Sequence, residues 1–100
     1  MIDLEEAVME IIVNAGQSRS LCFEALHAAR SGNINEAKLL LNEADGYARR
    51  AHQMQTRLIE QDAGEARQPM TLIMVHAQDH LMNSLLAREF SEELIHLYQR

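Results

Sequence analysis

The chain has 100 residues, 47% of them apolar, with nine Lys and Arg against fifteen Asp and Glu and a net charge of −6, which is the size of one small domain and excludes a second of ordinary dimensions. Cys22 is the only cysteine, so neither an internal disulfide nor a Cys-based metal site is expected, and a reducing cytoplasm is the natural compartment. The acidic balance opposes binding to a phosphate backbone, the opening MIDLEEAVME carries acids where a signal or transit peptide needs Lys or Arg, and no apolar run approaches the roughly 20 residues that span a bilayer, so neither nucleic acid nor direct membrane insertion is expected.

One Pro, four Gly and 4% aromatic residues among abundant Ala, Leu, Met, Glu and Gln make a helix-forming composition. In the first third, Leu4, Val8, Ile11, Ala15, Cys22, Leu26 and Ala29 recur at three-and-four spacing, which predicts a helix over about 4–30. Gly16 interrupts it at a cost of about 1 kcal/mol relative to Ala, which points to close backbone packing there. Ser31-Gly32-Asn33 follows as a stop and a cap, with Gly32 free to take a positive φ and Asn33 to cap the next helix. A second helix over 34–62 carries Ile34, Ala37, Leu41, Ala44, Ala48, Ala51, Gln55 and Leu58 on one stripe, and its small Ala side chains would let a neighbour approach closely. Residues 62–69, Asp-Ala-Gly-Glu-Ala-Arg-Gln-Pro, lose periodicity and read as a loop that ends where Pro69 starts a third helix over about 70–99. The predicted architecture is all-α, an antiparallel three-helix bundle occupying residues 1–100 as a single domain.

At about 100° per residue, Leu72, Val75, Asp79, Met82, Leu86, Phe90 and Leu97 of the third helix share one stripe, while Ile73, Met74, Leu81, Leu85 and Ile95 form a second apolar face. Little is left for water beyond Arg88, Glu89, Glu92 and His96. Two partner helices cover one face, so the other predicts self-association, most simply as a parallel seam about a symmetry axis. Asp79 lies within that seam, where an ionised carboxylate is costly unless it is paired or binds a cation. Two readings follow: carboxylates from several subunits gathered around a hard divalent cation such as Mg²⁺, or a solvated or protonated Asp that fixes register.

His76 and His80 flank this stripe at i and i+4, giving His-x-x-Asp-His on one helical face. Three chemistries fit. A transition-metal site could use His76, Asp79 and His80, although the His-Glu-x-x-His pattern of metalloproteases is absent. A neutral imidazole could attack a phosphoryl group, with Gln78 and His80 as nearby donors. The pair could equally be histidines satisfied by hydrogen bonds. Elsewhere, His52 reads as a hydrogen-bonded packing residue, His27 and His96 as surface residues, Cys22 as a small buried hydrophobe, and Arg49-Arg50 as solvated charge at the outer edge of the second helix.

The run Val75-His76-Ala77-Gln78-Asp79-His80-Leu81-Met82 resembles the active-site signature of the enzyme IIA component of the lactose/cellobiose class of the bacterial phosphoenolpyruvate-dependent sugar phosphotransferase system. Asn14-Ala15-Gly16-Gln17-Ser18-Arg19-Ser20, Ala51-His52 with Gln55-Thr56, and Asp62-Ala63-Gly64-Glu65 agree with it, so the resemblance spans nearly the whole chain. It implies a cytoplasmic homotrimer, a nine-helix assembly with the third helices central. By motif position it implies phosphorylation of His76 through Nε2, support from Gln78 and His80, and a divalent cation, Mg²⁺ by chemistry, held on the three-fold axis by one Asp79 from each subunit. The implied partners are the carrier protein HPr, which delivers the phosphoryl group, and the cognate enzyme IIB, whose cysteine receives it for uptake through the membrane component IIC. Ala77 after the histidine suggests a cellobiose or diacetylchitobiose branch rather than lactose. The reading from a different class is a non-catalytic helical adaptor or a transition-metal-binding bundle.

Overall fold

The computed structural model describes residues 3–65 and 67–100. Three helices follow one another, α1 (Leu4–Arg30), α2 (Ile34–Ala63) and α3 (Leu72–Tyr98), and lie side by side in a rod of 51 × 18 × 17 Å. Their lengths and short connections make neighbours in the chain antiparallel. All three match the helices expected from periodicity to within two residues at either end.

The ends explain themselves locally. Asp3 caps α1, its Oδ1 accepting from the backbone N–H of Glu5 at 3.0 Å and of Glu6 at 3.4 Å, while His27 and Arg30 sit in the last turn at the negative end of the helix dipole. Gly32 takes φ +91°, its N–H reaches Ala29 O at 3.0 Å and the N–H of Asn33 reaches Ala28 O at 2.8 Å, the two bonds of a Schellman ending. Asn33 occupies the N-cap position of α2, but its side chain makes no capping hydrogen bond, contrary to the role expected for it. Its backbone N–H is already committed to closing α1.

Pro69 does not begin α3. Residues 67–71 are irregular, and the helix starts after Thr71, whose Oγ1 accepts from the N–H of Met74 at 3.3 Å. A side-chain acceptor at the cap satisfies an otherwise orphaned N–H, a service that proline cannot perform, and the helix therefore starts three residues later. Asp62 orders the connection, its Oδ1 accepting from Gln68 N at 2.7 Å and its backbone O from Arg67 at 3.0 Å.

The core has two segments along the rod. One gathers Val8, Ile11, Ala15, Leu58, Met74 and Leu81, and the other Leu21, Cys22, Ala25, Leu41, Ala44 and Ile95. Burying each large aliphatic side chain among them contributes about 1.5–3 kcal/mol. Ser18 and Ser84 are fully buried at positions along their helices between the two segments, with their hydroxyls donated to Ala44 O at 2.9 Å and Leu81 O at 2.8 Å. The Ala stripe of α2 is buried as expected. Gly16 is not at a close approach: a Cβ placed there would meet nothing within 4 Å, and the residue borders a shallow depression with Arg19, Ser20, Phe23, Glu24 and His27.

α3 has the two apolar faces anticipated. Met74, Leu81 and Ile95 are buried in the bundle, whereas Leu72, Val75, Met82, Leu86, Phe90 and Leu97 point outward, with Leu86 and Phe90 still 51% and 61% exposed. Ile73 departs from its expected inner face and is half exposed, because it lies at the stripe's edge in the first turn of α3.

Candidate functional site

The site lies on the amino-terminal half of α3. His76 is exposed and His80 half-buried one turn further on, and their rings meet edge to face with centroids 4.7 Å apart and planes at 86°. The i, i+4 spacing on a regular helix brings them together without any special backbone. One imidazole therefore presents its edge to the face of the other, which limits its rotation while leaving His76 open to solvent.

Asp79 is exposed on the outward apolar stripe between Val75 and Met82, and it forms no hydrogen bond or ion pair with another described residue. Gln78 turns the opposite way. Its Oε1 accepts from Gln55 Nε2 of α2 at 2.5 Å, and its own Nε2 lies 3.7 Å from Met74 Sδ. Residues two apart on a helix do not face each other, and Gln78, expected as a nearby donor to the phosphoryl group, instead bridges to α2.

Among the described residues, no group of three or more His, Cys, Asp or Glu is gathered closely enough to hold a metal ion. His76, Asp79 and His80 therefore do not make a transition-metal site within one chain. A single carboxylate per chain, aimed outward among apolar side chains, is instead a donor that needs copies of itself before it can hold a hard cation.

Two links between α2 and α3 went unforeseen. Gln55 to Gln78 is one. The other is Arg88, expected among the water-facing remainder of α3, whose guanidinium grips Asp45 of α2 at 2.6 and 3.0 Å and also reaches Glu92 at 3.2 Å. The hydrogen bonds that Arg88 donates to the Asp45 carboxylate are the main cause that raises the Arg88 pKa above its ordinary value, so its charge is secure. A carboxylate on one helix and an Arg on another were the only signals available, and helical periodicity does not say which residues oppose each other across a seam.

His52 is exposed rather than packed, and only its backbone carbonyl is engaged, by Thr56 Oγ1 at 3.0 Å. His27 and His96 are exposed, as expected. Cys22 is buried, and desolvation is the main cause that raises its thiol pKa, with Arg88 and a hydrogen bond from Ser91 acting in the opposite sense.

Residues 6–99 match the family described as the lactose/cellobiose-specific IIA subunit of the phosphotransferase system. The chain belongs to this IIA family. The N,N'-diacetylchitobiose-specific EIIA component of Escherichia coli K12 is 48% identical over 98 residues, covering 98% of this chain and 84% of that protein. The crystal structure of the cellobiose-specific enzyme IIA from Bacillus anthracis superimposes with a TM-score of 0.93 at 35% identity, covering 99% of this chain and 92% of the other. The solution structure of the Escherichia coli IIA(chitobiose)–HPr complex gives a TM-score of 0.85 at 46% identity, covering 99% and 96%. As a IIA subunit, the chain is a phosphotransferase component of a sugar transport system. Among the described residues, no helix is long and apolar enough to cross a membrane.

Proposed function

We propose that this IIA subunit accepts a phosphoryl group from phospho-HPr on Nε2 of His76 and passes it to the cysteine of its cognate enzyme IIB in the cytoplasm, for uptake of cellobiose, diacetylchitobiose or a related disaccharide through IIC. The observation that carries this reading is an exposed imidazole braced edge-on by a second one, in a chain that matches the IIA family over residues 6–99. The sugar branch is supported by the specificities of the diacetylchitobiose and cellobiose relatives, and the donor by the HPr bound to the Escherichia coli relative.

The chemistry is an in-line displacement at phosphorus. A neutral His76 with its proton on Nδ1 offers the Nε2 lone pair; the Nε2–P bond forms as the donor's N–P bond breaks, and that electron pair stays on the donor imidazole. Transfer onward is the same event with the IIB thiolate as nucleophile and His76 as leaving group. There is little covalent work for the protein beyond orientation and charge stabilisation. His80 restrains the His76 ring and offers an imidazole N–H beside the incoming phosphoryl oxygens. Gln78 supports the site through α2 rather than by touching His76.

The outward face of α3 is the surface on which three copies associate, with their third helices central. In that assembly, Asp79 from each subunit reaches the axis, where three carboxylates offer hard oxygen ligands to a divalent cation, Mg²⁺ by chemistry. The cation would neutralise the mutual repulsion of those carboxylates, a structural duty separate from phosphoryl transfer. Incubation with phosphoenolpyruvate, enzyme I and HPr tests the function: the chain gains about 80 Da as an acid-labile, base-stable adduct. An unchanged mass under conditions that phosphorylate HPr contradicts the reading.

A further inference from the structure

The hydrogen bond from Gln55 Nε2 to Gln78 Oε1, at 2.5 Å, ties α2 to α3 two residues from His76. α3 leans mainly on α1, and its seam with α2 is the narrowest in the bundle. Among the described residues, the polar side-chain links across that seam are this bond and the Arg88–Asp45 pair, which lies about three turns further along α3. Near His76 the packing is not closed by large side chains alone. Leu58, Ile59, Met70, Met74 and Val75 border a cavity of about 330 Å³ with Gln78 on its wall, and the segment leading into α3 is irregular over 67–71.

From these observations we infer that Gln55 is a positioning residue for phosphoryl transfer, acting through Gln78 to set the roll of α3 and hence the direction of the His76 imidazole. The inference rests on the phosphocarrier reading of His76. Gln78 lies about 200° around the helix from His76, so a restraint on one side of α3 governs the aim of the other. A helix with its side chains has a radius of about 5–6 Å, so a roll of about 10° displaces the imidazole by about 1 Å. A misplacement of that size at a reacting atom costs up to about 100-fold in rate. The amide of Gln78 has its oxygen on Gln55 and a nitrogen against Met74 Sδ, so it serves as an anchor, not as a contact to phosphate. Gln55 is half-buried, and Leu in its place fills the same volume without the donor.

The experiment compares Gln55→Leu, Gln55→Glu and Arg88→Leu with the wild-type chain. It reads the initial rate of phosphoryl acceptance from phospho-HPr over a range of donor concentrations, the thermal midpoint, and the imidazole ¹⁵N resonances of His76 and His80 without phosphate. Gln55→Leu is expected to lower the maximal rate about 10- to 100-fold with the donor KM changed less than about threefold, and to shift the His76 and His80 resonances. Gln55→Glu restores most of the rate, because the Gln78 amide can turn over and donate to the new carboxylate. Arg88→Leu lowers the thermal midpoint but keeps the maximal rate, since its link lies away from the histidines. A Gln55→Leu chain with the wild-type maximal rate overturns the inference, and so does a rate loss that merely follows the thermal midpoint across both Leu variants. If the wild-type chain accepted no phosphate, the phosphocarrier reading would fail. The resonances would still decide the positioning role, which unshifted His76 and His80 signals in folded Gln55→Leu would refute.

Discussion

His80 stands edge to face against His76, with ring centroids 4.7 Å apart and planes at 86°, and it is the more buried of the two. That asymmetry agrees with the proposed roles, in which the open ring reacts and the sheltered ring steadies it. Replacing His80 with Ala removes the brace and, in the proposed function, the N–H that would stand beside the phosphoryl oxygens. A hydrogen bond to a charged group contributes about 1.5–3 kcal/mol, so phosphoryl acceptance falls about 10- to 100-fold while the chain stays phosphorylatable. His80→Gln, which keeps a donor, recovers part of the loss. Stopped-flow transfer from phospho-HPr measures both, and a His80→Ala chain with undiminished rate contradicts the supporting role.

Asp79 makes a separable prediction, because it lies on the outward stripe of α3 and has no hydrogen-bond or ion-pair partner among the described residues. In the proposed trimer, Asp79→Leu would extend the apolar seam and remove the carboxylate repulsion. Sedimentation equilibrium should show a trimer for both proteins in divalent salt, with EDTA weakening only the wild-type assembly. Replacing a buried charge with a packed apolar side chain stabilises by up to about 4 kcal/mol, so the variant's trimer dissociates at higher guanidinium. A monomeric wild-type chain at micromolar concentration would remove the basis for an axial cation.

Cys22 supplies a pH-dependent prediction that does not involve the site. Burial raises its thiol pKa above the ordinary 9.0. The folded state therefore holds the proton to higher pH than the unfolded state does. The resulting stabilisation is complete below pH 9.0 and declines as pH rises through the folded pKa. Iodoacetamide at pH 8 should label Cys22 only at the rate of unfolding, a relation read by mass spectrometry against guanidinium concentration. Rapid labelling of the native chain would contradict the buried, protonated thiol.

Period and composition carried most of the fold. The stripe of α3 that mixes Leu86 and Phe90 with Asp79 was legible as a second, unburied face because a wheel needs only the order of residues. The Schellman ending at Gly32 was legible because glycine is the residue that takes φ +91° without strain. Thr71 was missed as the cap of α3 because Pro69 is the stronger local signal, yet only a side-chain acceptor answers the exposed N–H of Met74. Gln55 with Gln78, and Asp45 with Arg88, escaped for a different reason. They depend on the register between two helices, which is set by packing of the whole bundle. Gly16 misled because glycine in a helix signals close approach only where something approaches, and this chain leaves open space there. The residues alone did not choose between His76 and His80; the resemblance of the motif did, and their unequal exposure agrees with that choice.

The most direct test of the account is the position of the phosphoryl group. The chain is phosphorylated with phosphoenolpyruvate, enzyme I and HPr, kept at alkaline pH, digested and sequenced by electron-transfer mass spectrometry, alongside His76→Ala and His80→Ala. All of the added mass of about 80 Da is predicted on His76, with none on the His76→Ala chain and a slower but identical modification on the His80→Ala chain. A His76→Ala chain that still accepts phosphate, or a phosphoryl group found on His80 of the wild-type protein, contradicts the account.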